Sequence, residues 1–306
     1  MSMLAETHDL IQLSVSAGRP HISELSAADA RERFEESAAL LDLPPVPLAV
    51  VENLQVPGPS GAVPVRLYTP TADCAGPVVM YMHGGGWVIG SLDTHDSFCR
   101  YLSQRLGMRV MAVHYRRAPE HPFPAAVDDC LACLEWLLGS PTELGAPVEV
   151  VGLAGDSCGG NLSAVLSQMA DGRVRAQLMI YPVTDVSRYA GSYDEFAAGY
   201  LMERADMDYF INNYVPNVAD RSDPRVSPLL AERILHPTPS VMLTAGLDVL
   251  RDEGRAYAAR LVGEGVPLKF HEAVGLPHGM INLRAALPSG VPILDRCIDD
   301  LKSYLI

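Results

Sequence analysis

The sequence predicts an α/β fold with a mainly parallel central sheet, covered by helices on both faces and by a helical cap. Three observations lead to this prediction. Apolar residues make up 48% and charged residues 20% of the 306 positions, which is enough apolar material for a sizeable core. Short apolar segments alternate along the chain with segments of helical length, as in βαβ units. These apolar segments contain few polar residues, as expected for strands buried on both faces of a sheet.

The N-terminal part of the chain predicts a helix followed by an antiparallel strand pair. In residues 22–43, charged and apolar residues recur at helical spacing, and several prolines follow from position 44. Proline cannot continue a helix, so we expect the helix to end there. Residues 50–56 and 63–68 flank a turn rich in proline, glycine and serine, and we predict them as paired strands.

The main sheet is predicted from residue 78 onward, where strands and helices alternate. The predicted strands cover residues 78–82, 109–114, 148–154, 176–181, 240–244 and 268–271. The predicted helices cover residues 96–106, 125–138, 161–170, 252–262 and 293–304. Parallel strands need a crossover connection, usually a helix, so this order predicts a parallel sheet.

Residues 185–239 interrupt the alternation without a strand signal and contain many aromatic and acidic residues. An insertion of this length usually forms a lid or a binding loop. We interpret it, together with the N-terminal helices, as a cap over the carboxyl edge of the sheet. We therefore divide the chain into residues 1–48 (N-terminal part of the cap), 49–187 (first part of the core), 188–225 (cap insertion) and 226–306 (second part of the core).

The charge balance excludes several classes of partner. With 23 basic and 37 acidic side chains, the formal net charge is −14, which repels nucleic-acid phosphates and anionic lipid headgroups.

No apolar run reaches the roughly 18 to 20 residues that cross a bilayer, and the acidic N-terminus does not resemble a signal peptide. Six cysteines are too few for a disulfide scaffold of this size, which favours a reducing, cytoplasmic location.

Cys130 and Cys133 form a C-x-x-C spacing that could indicate metal or redox chemistry. They lie in the predicted helix 125–138, where apolar residues recur at helical spacing, so we interpret them as part of a buried helix face. The sequence contains no second pair that would complete a zinc site. We therefore expect no metal and no other cofactor.

The segment Gly155-Asp156-Ser157-Cys158-Gly159 follows a predicted strand directly and precedes a predicted helix. A G-x-S-x-G in that setting is typical of a nucleophile elbow. The glycines relieve crowding in the tight turn, which exposes the serine hydroxyl above the sheet. We therefore predict Ser157 as a nucleophile. Cys158 is interpreted as a small packed side chain, because the serine occupies the apex of the turn.

A second glycine motif, HGGGW at residues 83–87, also follows a predicted strand. Consecutive glycines let the backbone pass close to a ligand and point N–H groups at it. Such a loop, with the N–H of the residue after the nucleophile, forms the oxyanion hole of lipases and esterases. We predict the backbone N–H groups of Gly85, Gly86 and Cys158 as the donors, with His83 and Gly84 supporting the loop.

A serine hydroxyl needs a general base, and a carboxylate orients that base. Among nine histidines, His278 lies just beyond the last predicted strand, where it can reach back over the sheet. His271 lies inside that strand and His83 inside the glycine loop, so we expect structural roles for both. For the acid we predict Asp248, which follows the preceding strand, with Asp185 as the alternative.

The order Ser157, Asp248, His278 along the chain is the order expected of α/β-hydrolases. Asp252 and Glu253 also follow the strand that precedes Asp248. We interpret these two as acids in the first turn of the next helix, where the helix dipole favours them.

With these motifs the chain resembles the bacterial family IV, hormone-sensitive-lipase-like esterases of the α/β-hydrolase fold. The matching segments are HGGGWVIG at 83–90, YRRAPEHPFPAAVDD at 115–129, GDSCGG at 155–160, SPLLA at 227–231, DVLRDEG at 248–254 and PHG at 277–279. The resemblance implies the triad Ser157, Asp248 and His278 and the hydrolysis of small, soluble, short-acyl carboxylic esters. Where the family usually has alanine and leucine, this chain has Cys158 and Arg117.

Other functions are compatible with the same sequence. The triad could cleave an amide, a lactone or a carbonate, and a ligand-binding protein could use this fold without catalysis. An interfacial lipase is less favoured, because the cap segment carries many charges rather than a broad apolar face. We expect Trp87, Tyr193 and Tyr200 to line the substrate pocket. Family analogy suggests a homodimer that pairs at the sheet edge beside the last strand.

Overall fold

The computed structural model describes residues 3–306, and one eight-stranded sheet forms the centre of this part of the chain. The strands are β1 (Val50–Gly58), β2 (Gly61–Thr69), β3 (Gly76–Met82), β4 (Arg109–Val113), β5 (Val148–Asp156), β6 (Ala176–Ile180), β7 (Ser240–Leu247) and β8 (Leu268–Pro277). They lie in the order β1-β2-β4-β3-β5-β6-β7-β8. β2 pairs antiparallel with β1 and β4, and every pair from β4 to β8 is parallel. The prediction of a mainly parallel sheet is confirmed.

Helices pack on both faces of this sheet. They are α1 (Ala5–Ser16), α2 (Ala27–Leu41), α3 (Asp96–Leu106), α4 (Ala125–Leu138), α5 (Cys158–Met169), α6 (Ser192–Glu195), α7 (Arg204–Tyr214), α8 (Arg251–Gly263) and α9 (Val291–Leu305). Short 3-10 helices cover Ile22–Glu24, Thr142–Leu144, Val218–Ser222, Pro228–Leu230, Met280–Asn282 and Pro288–Gly290. Within residues 3–306, no helix combines the length and apolar character that a bilayer crossing requires.

The central strand β3 contributes side chains to two separate cores. Val78, Met80 and Met82 belong to the core that contains α4 and α5. Val79 and Tyr81 belong to the core that contains α3 and α9. Successive side chains of a strand point to opposite faces, so the two cores lie on opposite sides of the sheet. This arrangement confirms the predicted layering.

The last two strands are longer than the sequence predicts. β7 continues to Leu247 and β8 to Pro277, because their pairing resumes after a register shift between Ala245 and Leu247. β8 lies at the edge of the sheet, where polar residues such as His271 and Glu272 interrupt the apolar run that identifies a strand. Consequently β8 delivers the residue after Pro277 directly to the carboxyl edge of the sheet.

The predicted helix over residues 22–43 is two separate elements. A 3-10 turn, Ile22–Glu24, precedes α2, and Ser26 lies between them. The Ser26 hydroxyl accepts the N–H of Asp29 at 3.2 Å, which is the N-cap arrangement that starts a helix. This cap fixes the first residue of α2 at Ala27.

The insertion before β7 packs on the loop that follows β3. The ring of Tyr214 in α7 stacks on Trp87, with ring centroids 4.3 Å apart and an interplanar angle of 9°. The N-terminal segment contacts the same helix, since the N–H of Ser23 donates to Asp206 at 3.2 Å. The insertion thus packs on the glycine loop and also contacts the N-terminal segment.

Helix α1 contacts a different part of the molecule. The hydroxyl of Thr7 donates to the carbonyl of Gly275 in β8 at 2.9 Å, and the carboxylate of Glu6 accepts the N–H of Ser289 at 3.1 Å. α1 therefore packs beside the end of β8 that leads to residue 278.

Candidate active site

Ser157 occupies a tight turn between β5 and α5. Its backbone has φ 55° and ψ −121°, a combination that residues with a Cβ rarely adopt. Its N–H donates to the carbonyl of Ile180 at 2.8 Å. A side chain at Gly159 would overlap the carbonyl of Met82. The turn therefore requires glycine at that position, as the motif predicts, and holds Ser157 in a strained backbone conformation of the kind found at functional sites.

His278 follows the last residue of β8 and faces the serine. Its Nε2 lies 3.0 Å from the Oγ of Ser157, and the ring of Tyr181 packs beside the imidazole with centroids 4.5 Å apart. The predicted base therefore lies within hydrogen-bond distance of the predicted nucleophile.

Asp248 follows β7 and completes the chain of hydrogen bonds. Its Oδ2 lies 2.7 Å from the Nδ1 of His278, and its Oδ1 accepts the N–H of Leu250 at 2.9 Å. The carboxylate is buried, so the imidazole and this backbone N–H replace water as its hydrogen-bond donors. Because the carboxylate accepts at Nδ1, Nε2 of His278 is left as the acceptor toward Ser157.

The other candidate acid, Asp185, and the other histidine of the last strand, His271, form hydrogen bonds elsewhere. Asp185 accepts hydrogen bonds from the N–H and hydroxyl of Ser187, at 2.9 and 2.6 Å, and pairs with Arg188. His271 pairs with Asp300 at 2.7 Å. Neither reaches the Ser157–His278 pair.

Asp156 ties the glycine loop to the nucleophile turn. Its Oδ1 accepts the N–H of Gly84 at 2.8 Å and the hydroxyl of Tyr81 at 2.6 Å, and it lies 3.4 Å from the Nε2 of His95. Sequence reasoning missed these contacts, because it assigned no role to Asp156. A carboxylate next to the nucleophile and one strand away from a glycine loop was the available signal.

The glycine loop adopts a conformation that presents backbone N–H groups. Gly86 has φ 57°, and a Cβ there would overlap the ring of Phe210 in α7, so the position requires glycine. In the part of the chain that the structure describes, no acceptor lies within hydrogen-bond distance of the N–H groups of Gly85 and Cys158. These two N–H groups can therefore bind an external oxygen.

His83 supports the loop from behind. Its ring stacks on Tyr115 with centroids 4.3 Å apart, and its Nδ1 lies 2.8 Å from the carbonyl oxygen of Gly84. Burial lowers the pKa of His83 well below its usual value, since a charged imidazole is disfavoured away from water. His83 is therefore a neutral packing residue at physiological pH.

The aromatic residues expected at the pocket differ in exposure. Trp87 and Tyr193 are fully buried, and burial raises the pKa of Tyr193 well above its usual range. Tyr200 is partly exposed and packs edge-on against Phe196. The indole of Trp87 stacks on Tyr214 of α7, so it connects the glycine loop to that helix.

Glu253 lies in the first turn of α8, as the sequence predicts, and its side chain is also buried. Its Oε1 accepts the N–H of Thr184 at 2.7 Å and that of Asp185 at 3.3 Å. Burial raises the pKa of Glu253 well above its usual value. The residue anchors the loop after β6 to α8.

Cys130 and Cys133 are buried in α4, and both are free thiols. Across residues 3–306, no group of three or more His, Cys, Asp or Glu side chains could hold a metal ion.

Comparisons with known proteins agree with this geometry. A family described by the alpha/beta hydrolase fold matches residues 79–282. The chain is 37% identical over 312 aligned positions to a protein named ethyl acetate hydrolase from Pseudomonas putida, covering 99% of this chain and 98% of that protein. It is 40% identical over 243 positions to carboxylic ester hydrolase LipN from Mycobacterium tuberculosis, covering 76% of this chain and 65% of that protein.

Two solved structures are similar over nearly the whole chain. An ester hydrolase, EH1AB1, from the metagenome of Lake Arreo, solved with a bipyridine phosphonate derivative, superposes with a TM-score of 0.94 at 37% identity, covering 98% of each chain. A hyperthermophilic esterase from Pyrobaculum calidifontis superposes with a TM-score of 0.92 at 33% identity, covering 99% of each chain.

Proposed function

The chain belongs to the α/β-hydrolase family and, within it, to the hormone-sensitive-lipase-like ester hydrolases, and we propose that it cleaves short-acyl carboxylic esters through an acyl-enzyme on Ser157. One observation carries the assignment of roles. The carboxylate of Asp248, the imidazole of His278 and the hydroxyl of Ser157 are linked by hydrogen bonds of 2.7 and 3.0 Å. A serine hydroxyl is a weak nucleophile by itself, and this linkage is the arrangement that activates it.

In the first step His278 acts as the general base. Its Nε2 takes the hydroxyl proton while the Oγ of Ser157 attacks the ester carbonyl carbon. The buried carboxylate of Asp248 accepts the proton of Nδ1, so it keeps the imidazole in the required tautomer and stabilises the imidazolium that forms. The same imidazolium then gives its proton to the leaving alcohol, and the acyl group remains on Ser157.

The N–H groups of Gly85, Gly86 and Cys158 are proposed to bind the oxyanion. Negative charge develops on the carbonyl oxygen as the tetrahedral intermediate forms, and fixed N–H donors stabilise that charge without reorganising. The open N–H groups of Gly85 and Cys158 support this role. In the second step water replaces the alcohol, His278 again removes a proton, and the acid leaves Ser157.

The preference for short, soluble esters rests on the cap. Phe210 packs against Gly86 and Tyr214 against Trp87, so bulky rings lie close to the proposed oxyanion loop. The exposed parts of α6 and α7 carry ion-paired charges such as Arg204 with Asp194, which does not favour docking on a lipid surface. The relative from Pseudomonas putida is named for a two-carbon acyl ester.

A series of p-nitrophenyl esters tests this proposal. We expect kcat/KM to be highest for acyl chains of about two to four carbons and to fall steadily with longer chains, because each pocket methylene contributes only modest binding while added length meets the buried cap rings. The esters are assayed below their solubility limits, with Ser157→Ala as the blank. A maximum at acyl chains of about ten carbons or more would contradict the short-acyl preference.

We also propose that the protein is cytoplasmic and that two copies pair through β8. The six free cysteines support a reducing compartment. Pairing is supported by the place of β8 at the edge of the sheet and by its half-exposed Phe270 and Val274. For the dimer, light scattering should give twice the mass of one chain, and a mass of one chain would overturn the proposal.

For the location, cell fractionation should recover the esterase activity in the cytoplasm, and activity outside the cytoplasm would overturn the proposal.

A further inference from the structure

We propose that Cys158 is a positioning residue whose thiol fixes the glycine loop, which carries the oxyanion donors, relative to the nucleophile turn. The inference rests on the proposed function and concerns the side chain of Cys158, whereas the oxyanion hole itself uses only the backbone N–H of that residue. The position usually holds alanine in the family that this chain resembles, so the thiol is a property of this chain.

The sulfur contacts both ends of the glycine loop. Its Sγ accepts the N–H of Trp87 at 3.2 Å, and its S–H donates to the carbonyl of His83 at 3.7 Å. His83 and Trp87 are the residues immediately before and after the glycine triplet, so one side chain spans the whole loop.

Tyr115 reinforces the same junction. Its hydroxyl donates to the carbonyl of His83 at 2.7 Å and lies 3.5 Å from the Sγ of Cys158. The carbonyl of His83 thus has two donors, and the thiol group is enclosed by polar atoms rather than by apolar surface alone.

The two neighbours of Ser157 hold the loop together. The carboxylate of Asp156 accepts a hydrogen bond from the N–H of Gly84 at 2.8 Å, and the sulfur of Cys158 accepts one from the N–H of Trp87. The N–H groups of Gly85 and Gly86 lie between these anchors. Because both anchors come from the residues adjacent to the nucleophile, any displacement of the donors relative to Ser157 must break one of the two contacts.

A thiol is suited to this position because it donates and accepts at once. Cys158 is completely buried, and burial raises the pKa of its thiol to about 12, so the sulfur stays protonated near neutral pH. With alanine there, the buried N–H of Trp87 would lose its acceptor, and an unpaired buried donor is costly. The loop would then move to recover a hydrogen bond. Serine would retain both a donor and an acceptor.

The test compares Cys158→Ala with Cys158→Ser. We expect Cys158→Ala to lower kcat about three- to tenfold, the effect of one net hydrogen bond, with KM changed less than about twofold. The loss falls on kcat because the oxyanion donors act mainly in the transition state. Cys158→Ser should recover at least about half of the lost rate. An unchanged kcat in Cys158→Ala, or an equal loss in both variants, would overturn the proposal.

A matched control separates positioning from packing. Cys133→Ala removes another buried thiol of the same core, away from the loop, and should leave kcat unchanged while lowering the melting temperature to a similar extent. If Cys133→Ala lowers kcat as much as Cys158→Ala does, the effect is packing and the proposal fails.

Hydrogen exchange gives a readout independent of activity. The amide protons of the segment 84–90 should exchange at least about threefold faster in Cys158→Ala and at the wild-type rate in Cys158→Ser. Equal exchange in all three proteins would contradict the anchoring role. Failure of the proposed function has a different signature, since Ser157→Ala would then retain activity whatever the Cys158 variants do.

Discussion

Replacing Ser157 with alanine is expected to lower kcat for p-nitrophenyl acetate by about 10⁴- to 10⁶-fold. The substitution removes the atom that forms the acyl-enzyme, so the remaining rate comes only from substrate binding and the oxyanion donors. The measurement is the steady-state rate against enzyme concentration, with circular dichroism to show that the fold is retained. A loss of less than about tenfold would show that another group is the nucleophile.

Ser167→Ala is the matched control for this variant. Ser167 is buried in α5, the helix that follows the nucleophile turn, where its hydroxyl donates to the carbonyl of Ala164 at 2.9 Å, and it lies more than two helical turns beyond Ser157. The substitution removes the same hydroxyl group from a nearby buried serine. We expect full activity, so a large loss in both variants would indicate a general disturbance of α5 rather than loss of a nucleophile.

Replacing Asp248 with asparagine is expected to lower kcat by about 10⁴-fold with little change in KM. The amide can donate to Nδ1 of His278, which stabilises the tautomer whose Nε2 carries the proton and cannot accept one from Ser157. Because Asp248 is buried, water cannot reach the site and stabilise the imidazolium in place of the lost carboxylate charge. The measurement is kcat and KM for the same ester in the wild type and the variant.

Asp185→Asn provides the comparison that distinguishes the two candidate acids. Asp185 is as buried as Asp248 and also follows a strand, yet its carboxylate binds Ser187 and Arg188. We expect this variant to lose less than about threefold in kcat, with some loss of stability from the broken hydrogen bonds. The opposite ranking of the two variants would show that the triad acid is Asp185.

The nucleophile turn could be predicted because its constraints are local. A strand that runs directly into a helix leaves no space for a Cβ at Gly155, which would overlap the carbonyl of Gly159 four residues later, so the glycine spacing in the sequence reflects the geometry. Asp248 and His278 could be placed because the carboxyl ends of parallel strands meet at one edge of the sheet.

The contacts behind the site could not be predicted in the same way. The hydrogen bonds of Asp156 to Gly84 and of Cys158 to Trp87 join segments about 70 residues apart in sequence, and nothing local in either segment specifies the pairing. The sequence predicts Glu253 in the first turn of a helix, but it does not indicate that the loop after β6 covers this side chain. Tertiary contacts decided these positions.

The insertion before β7 also depends on tertiary contacts. The exposure of its individual aromatic rings follows from packing between α7 and the glycine loop, which the aromatic and acidic composition of the insertion does not specify. Tyr193 and Trp87 are buried, whereas Tyr200 is partly exposed. The series of p-nitrophenyl esters tests how these rings affect the preferred acyl length.

Labelling with a p-nitrophenyl alkylphosphonate shows whether Ser157, activated by His278, forms a covalent intermediate. Such a compound transfers its phosphonyl group to an activated serine and releases p-nitrophenol, leaving a stable analogue of the tetrahedral intermediate. Intact-mass spectrometry should show one adduct per chain, peptide mapping should place it on Ser157, and labelling should be absent in Ser157→Ala and strongly slowed in His278→Ala. An adduct on Cys158 or elsewhere, or undiminished labelling without His278, would contradict the account.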